Sequence, residues 1–160
     1  MSVSGRWWIV RRYLVVANQT LGGEELWGAI RERIAGGDCH FHLLVPATPA
    51  AQLDPGSTTE VVAAEGGTGE DLGRRLARQR MRHELDRMRE LGASVSGEIG
   101  VADPVDAVRV VLHRWEFDEV IVSTLPGRRS RWLAADLPTK IRRGFKLQVT
   151  QVTGATAARG

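Results

Sequence analysis

Three arginines within four positions, Arg128, Arg129 and Arg131, are the chain's most chemically pointed cluster. A guanidinium is a planar fork that matches phosphate or carboxylate oxygens, so such a cluster can hold an anion. The alternative is a solvated loop face, or pairing with the acids of a neighbouring helix. Gly66-Gly67-Thr68-Gly69, with Gly73 at the start of an Arg-rich segment, has the look of a phosphate loop. Its spacing is one residue too long for a dinucleotide fingerprint, and no Gly-Lys-Ser/Thr is present, so it reads as a flexible loop. His40 and His42 alternate onto one strand face, and Cys39 and Phe41 onto the other. His83 and His113 are distant in sequence and no second pair stands at zinc spacing, so no metal site is expected. Cys39 has no His-plus-acid context and reads as a buried, inert thiol. No nucleophile–base pair or pair of site carboxylates is visible, which predicts a non-enzymatic protein.

The frame for these residues is set by size and composition. The chain has 160 residues, of which 42% are hydrophobic and 26% charged, the proportions of a globular protein with one sizeable core. A single domain over 1–160 is expected, with 1–11 and 154–160 as peripheral tails. No stretch approaches the roughly 20 apolar residues that span a bilayer, and no secretory layout opens the chain. The single cysteine excludes an internal disulfide and fits a reducing compartment, which predicts a cytoplasmic protein. Net charge is +3, and 20 of the 22 basic residues are Arg. Such a bias beside much Ala, Gly and Val is a compositional habit before it is a function. Arginines on the segment 70–91 are interleaved with Asp71, Glu84, Asp86 and Glu90 at salt-bridging spacing, a solvated face rather than a nucleic-acid surface. Trp7 and Trp8 beside arginines read as cover for a core edge or a dimer contact, not as a membrane insertion.

Periodicity places the elements. Tyr13–Ala17 and Phe41–Val45 are apolar runs of buried-strand type, and Glu119–Thr124 is another. Leu26, Trp27, Ile30 and Ile34 recur at helical spacing, with Gly36-Gly37 as a stop. A long Arg-rich helix is predicted over 70–91, its apolar stripe running through Leu72, Leu76, Met81, Leu85, Met88 and Leu91. Asp103-Pro104 opens the next helix, with Asp as the cap, Pro at the first position and Asp106 at the capping-box position. A short edge strand over 93–99, a helix within 126–143 and a last strand over 147–152 complete the series. Residues 46–70 hold most of the turn chemistry, with a possible short strand at Val61–Ala64. Strict β-α alternation predicts an α/β fold with a parallel sheet covered on both faces. In such sheets ligands sit beyond the carboxyl ends of the strands where the strand order reverses. That points to Asn18-Gln19-Thr20 and to the stretch from Ser123 to Arg131.

At this level the chain resembles the universal stress protein family over about residues 12–152. ATP-binding members of that family carry Gly, two residues, Gly, nine residues, then Gly and Ser/Thr after strand four. Here the stretch reads Ser123-Thr124-Leu125-Pro126, nine residues from Gly127 to Ala135, then Asp136-Leu137. The spacing is kept while each glycine is replaced, by Ser123, Pro126 and Asp136, and Leu137 stands at the Ser/Thr position. Asn18 stands where those members place an Asp, two residues after Val16, and the strand-two contact falls at Val45.

The resemblance implies a three-layer, Rossmann-like fold of the adenine-nucleotide-hydrolase type, with a five-stranded sheet in order 3-2-1-4-5. It also implies homodimerisation through the last strand, with Leu147, Val149 and Gln151 at the interface, and a role in stress response. Phosphate-loop glycines let backbone N–H groups approach the phosphates, and Pro126 has none to offer. Asp136 is expected to cap the following helix, so that its carboxylate fills the donors a phosphate would use. A second negative charge at about 4 Å costs roughly 4 kcal/mol at an effective dielectric of 20. The expected function is a regulatory or interaction module with a protein partner and weak or absent ATP binding. The alternative is a nucleotide or anion sensor that places Asn18, Ser123, Thr124, Arg128, Arg129 and Arg131 around the phosphates.

Overall fold

The computed structural model describes residues 10–18, 20–21, 23–47, 69–125 and 136–154. Pro126, Arg128, Arg129 and Arg131, Trp7 and Trp8, Val61–Ala64, Gly66–Thr68 and the outer parts of both tails lie outside the described residues.

Among the described residues five strands and four helices alternate along the chain. They are β1 (Arg11–Val16), α1 (Glu24–Ala35), β2 (Cys39–Pro46), α2 (Gly69–Glu90), β3 (Ser94–Gly100), α3 (Pro104–Arg114), β4 (Glu119–Thr124), α4 (Leu137–Phe145) and β5 (Gln148–Thr153). All pairings are parallel and the strand order is β3-β2-β1-β4-β5. The fold is therefore the α/β, Rossmann-like sheet that alternation predicts, in the order 3-2-1-4-5. β2 is longer than its apolar run because its register with β3 runs from His40↔Ser94 to Pro46↔Gly100. Backbone pairing extends an element beyond its hydrophobic centre.

The central strands carry apolar residues on both faces. On one face Tyr13, Val15, Phe41, Leu43, Val45 and Ile121 pack under α1 and α2. On the other, Leu14, Val16, Leu44, Val120 and Val122 pack under α3 and α4. The α1–α2 contact includes a cation over an indole, with the Arg87 guanidinium 4.2 Å from the Trp27 ring centroid. Beside it Glu84 is buried, and burial pushes its carboxyl up against the pull of Arg87.

The two predicted caps diverge. Asp103 accepts from Val105 N at 2.9 Å and Asp106 N at 3.1 Å, as its sequence context requires. Asp136 does not cap α4. Its backbone is left-handed, φ 56° and ψ 42°, and its carboxylate accepts from no helix N–H. A capping side chain folds back over the first turn only from extended backbone. Asp136 is exposed, so the expectation that its carboxylate fills the helix donors is corrected.

Candidate functional site

The crossovers diverge between β1 and β4, and the carboxyl ends of these two strands and of β2 form the crevice where this sheet class binds ligands. β1 runs out through Ala17, whose N–H still reaches Leu44 O at 3.2 Å, and the chain then turns at Asn18. The carboxamide of Asn18 donates through Nδ2 to Pro46 O at 2.7 Å, tying β1 to β2. Its Oδ1 accepts from Arg80 Nη1 of α2 at 2.6 Å. Thr20 donates to Ser123 O at 3.3 Å, and the Ser123 hydroxyl donates to Thr20 Oγ1 at 2.6 Å, tying β1 to β4. Gly154 N–H takes Thr124 O at 3.0 Å, bringing the end of β5 to the same edge. Asn18, Thr20, Ser123 and Thr124 are all buried.

Two features of this cluster stand apart. Thr124 Oγ1 is fully buried and meets no hydrogen-bond partner among the described residues. A buried hydroxyl without a partner carries a desolvation cost of about 1–3 kcal/mol. Arg80 is drawn in from the surface, and burial lowers its pKa. Thr20 lies in the segment the sequence pointed to, whereas Arg80 was missed. Arg80 did leave a signal, because it continues the every-fourth-residue row of Leu72 and Leu76 toward the sheet.

The other expected site residues fall in two groups. Asn18, Ser123 and Thr124 are buried at the adjoining carboxyl ends of β1 and β4. Val16, Val45 and Leu137 are fully buried within the cores, so their side chains face other apolar groups rather than the crevice.

A second polar cluster lies on the β2–β3 face and was not foreseen. His40 and His42 do share a face, opposite Cys39 and Phe41. Neighbouring β3 places Ser94, Ser96 and Glu98 beside them. The Ser96 hydroxyl lies 2.7 Å from His42 Nδ1, so the fold assembles a hydroxyl–imidazole pair that the sequence did not display. Cys39 is half-buried, and burial together with Asp38 raises its thiol pKa, which keeps it protonated. Among the described residues no group of three His, Cys, Asp or Glu side chains is placed to hold a metal ion. No described helix is long and apolar enough to cross a membrane.

Comparison with solved structures shows the same fold elsewhere. A crystal structure of a universal stress protein family protein from Arabidopsis thaliana, with AMP bound, superposes with a TM-score of 0.56. Sequence identity is 12%, and the match covers 90% of this chain and 92% of that one. The class thus defined is a universal-stress-protein-like fold. No protein-family model matches the sequence, and no curated protein matches it.

Proposed function

We propose that this chain is a universal-stress-protein-like regulatory or interaction module of the cytoplasm, non-enzymatic at its strand-end crevice and with weak or absent ATP binding. One observation carries this reading: the crevice is stitched by the protein's own side chains. Asn18 spans from β1 to β2, and Thr20 and Ser123 span from β1 to β4. A nucleotide would have to compete for donors and acceptors that are already paired. Breaking such pairs without replacement costs about 1–3 kcal/mol for each group left unsatisfied. The replaced glycine at Ser123 points the same way, since its side chain is already bonded to Thr20 where a bare backbone would cradle phosphate.

The module pairs with a second copy through β5 in this reading. β5 hydrogen-bonds only to β4 within the described residues, so its outer edge is open to another strand. Val149 faces the core, Leu147 is half-buried, and Gln151 is exposed beside them.

A second reading, the nucleotide or anion sensor, is favoured by the Thr124 hydroxyl, which meets no partner among the described residues, and by the AMP in the fold neighbour. Calorimetric titration with ATP, with and without magnesium, separates the two. No heat with the chain near 100 μM, roughly a concentration that exposes even weak binding, supports the closed crevice. Micromolar binding that Thr124→Val weakens overturns it in favour of the sensor.

A further inference from the structure

On the β2–β3 face five polar side chains form one continuous hydrogen-bonded chain. His40 Nδ1 lies 2.8 Å from Ser94 Oγ, and His40 Nε2 lies 2.8 Å from Ser96 Oγ. Ser96 Oγ lies 2.7 Å from His42 Nδ1, and His42 Nε2 lies 2.7 Å from Glu98 Oε2. Glu98 is in turn gripped by Arg114 Nη2 at 2.5 and 2.6 Å. The register explains the geometry, since His40 and His42 stand opposite Ser94 and Ser96, and alternation turns all of them to one side.

Donor and acceptor capacity sets the direction of this chain. Ionised Glu98 only accepts, so His42 Nε2 carries its proton and donates. In the neutral imidazole, Nδ1 of His42 is then the basic lone pair, and it accepts the Ser96 hydroxyl proton. Ser96 Oγ receives the Nε2 proton of His40 and keeps one lone pair free. His40 Nδ1 accepts from Ser94. A carboxylate thus orients an imidazole whose other nitrogen holds a serine hydroxyl, the arrangement that makes a serine nucleophilic.

We infer that Ser96 is an activated nucleophile, with His42 as its general base and Glu98 as the group that orients the base, and that it takes an acyl group from an activated ester. The inference goes beyond the proposed function, because this face is separate from the strand-end crevice. Ser96 Oγ bonds to the ester carbonyl carbon as its proton passes to His42 Nδ1. The imidazolium that forms is stabilised by Glu98. The carbonyl–oxygen bond to the leaving group then breaks, and the departing alkoxide takes the proton from His42. The products are acyl-Ser96 and an alcohol, one transfer per chain.

The surroundings fit this step. His42 is 12% exposed and Glu98 28%, so the base is shielded while the cluster is reachable from solvent. Arg12 supplies a cation near the imidazoles. Its guanidinium lies 5.8 Å from the ring of exposed Trp115 and 5.6 Å from that of Phe117. Burial first, and then Arg12 and His42, lower the His40 pKa and keep that ring a neutral donor to Ser96. An apolar acyl chain can lie along the Trp115 indole.

The test is labelling of the full chain with a biotinylated alkyl fluorophosphonate, followed by intact mass and peptide mapping. In this reaction the Oγ–P bond forms, the P–F bond breaks, and fluoride and the serine proton leave. The expected result is one adduct per chain, on Ser96, absent in Ser96→Ala. His42→Gln is expected to slow labelling about 100-fold or more, the scale of a lost general base. No adduct, an adduct that persists in Ser96→Ala, or a wild-type rate in a folded His42→Gln chain overturns the inference. Should His42→Gln fail to fold, the wild-type labelling rate against pH decides. Among the described residues Glu98 bonds to His42 and His40 couples to it, while Arg114 sits on Glu98 and Arg12 acts on His40. A rate that rises through an imidazole titration supports the inference, and a rate flat from pH 5 to 8 overturns it.

Discussion

Arg33 and Glu119 clasp each other at the amino-terminal end of the sheet, with Arg33 Nη2 2.7 Å from Glu119 Oε2 and Nε 3.4 Å from Oε1. The Thr150 hydroxyl donates to the same carboxylate, so the contact ties α1, β4 and β5 together. Behind it lies a cleft of about 220 Å³, lined in part by Arg11, Tyr13 and Asp38. Burial pulls the Arg33 pKa down, but Glu119 outweighs it and the net shift is upward. Glu119→Ala leaves the Arg33 guanidinium with Ala29 O, the Thr150 hydroxyl and exposed Glu32, and is expected to cost about 3 kcal/mol in urea unfolding, the low end for a broken buried pair. An Arg33→Met, Glu119→Leu double variant is expected to lose much less. A loss below about 1 kcal/mol for the single variant would show that the pair contributes no more than a surface contact.

Two glycines of β3 set the approach of helices to opposite faces. A Cβ at Gly100 would meet Ala107 Cβ of α3 at 2.7 Å and Leu44 Cδ1 at 3.0 Å. A Cβ at Gly97 would meet Met81 Sδ of α2 at 2.9 Å, the far part of a flexible side chain. Gly100→Ala is expected to destabilise by about 1–3 kcal/mol and Gly97→Ala by less. Thermal unfolding checks the order, and the reverse ranking would contradict the packing.

Asn18 is a donor and an acceptor at once, to Pro46 O and from Arg80. Asn18→Asp keeps the acceptor for Arg80 but sets a carboxylate against the Pro46 carbonyl. A net loss of about 1 kcal/mol is expected, because a charge-assisted bond to Arg80 offsets part of the lost donor. Asn18→Ala removes both bonds and is expected to cost about 1–3 kcal/mol. Chemical unfolding of the two variants side by side is the measurement. Equal stability of both with wild type would mean that this bridge does not hold the crevice.

Acid is expected to weaken the β2–β3 face in two stages. The His40 pKa is lowered from 6.5, by burial and then by Arg12 and His42, so the folded state binds that proton less readily than the unfolded chain. Its contribution is whole above pH 6.5 and declines as pH falls from there through the folded pKa. Burial pushes the Glu98 carboxyl up, but Arg114 and His42 outweigh it and hold the pKa below 4.5. Stability from Glu98 is therefore present above pH 4.5 and lost as pH falls through the folded value. Unfolding free energies between pH 8 and 4 test this. His40→Asn should flatten the first stage, and an unchanged slope would exclude His40 as its source.

β5 is expected to join two copies. Light scattering should give twice 17.6 kDa for the native chain. Gln151→Lys places a charge beside the open strand edge and should shift the protein toward monomer. A monomer at high concentration for the native chain would refute the pairing.

Sequence alone determined the order of the elements and the class of sheet. Leu14–Val16 and Val120–Val122 are apolar without a break because both their faces are covered, and covered strands joined by helices must run parallel. The Asp103 cap was legible for a related reason, since its signal and its effect both lie within four residues. Asp136 carried the same kind of signal and failed, because the chain enters α4 through a left-handed residue that local pattern does not encode. The crevice was half legible. Asn18, Ser123 and Thr124 followed from where strands end, whereas Arg80 reaches Asn18 from 62 residues away. The His42–Ser96–Glu98 chain was illegible, because it joins residues 54 and 56 positions apart. Its existence depends on β2 pairing with β3 in one register, where a slip of one residue would turn Ser96 and Glu98 to the opposite face. Periodicity reports which face of an element is buried, and only the assembled sheet decides which polar side chains meet across it.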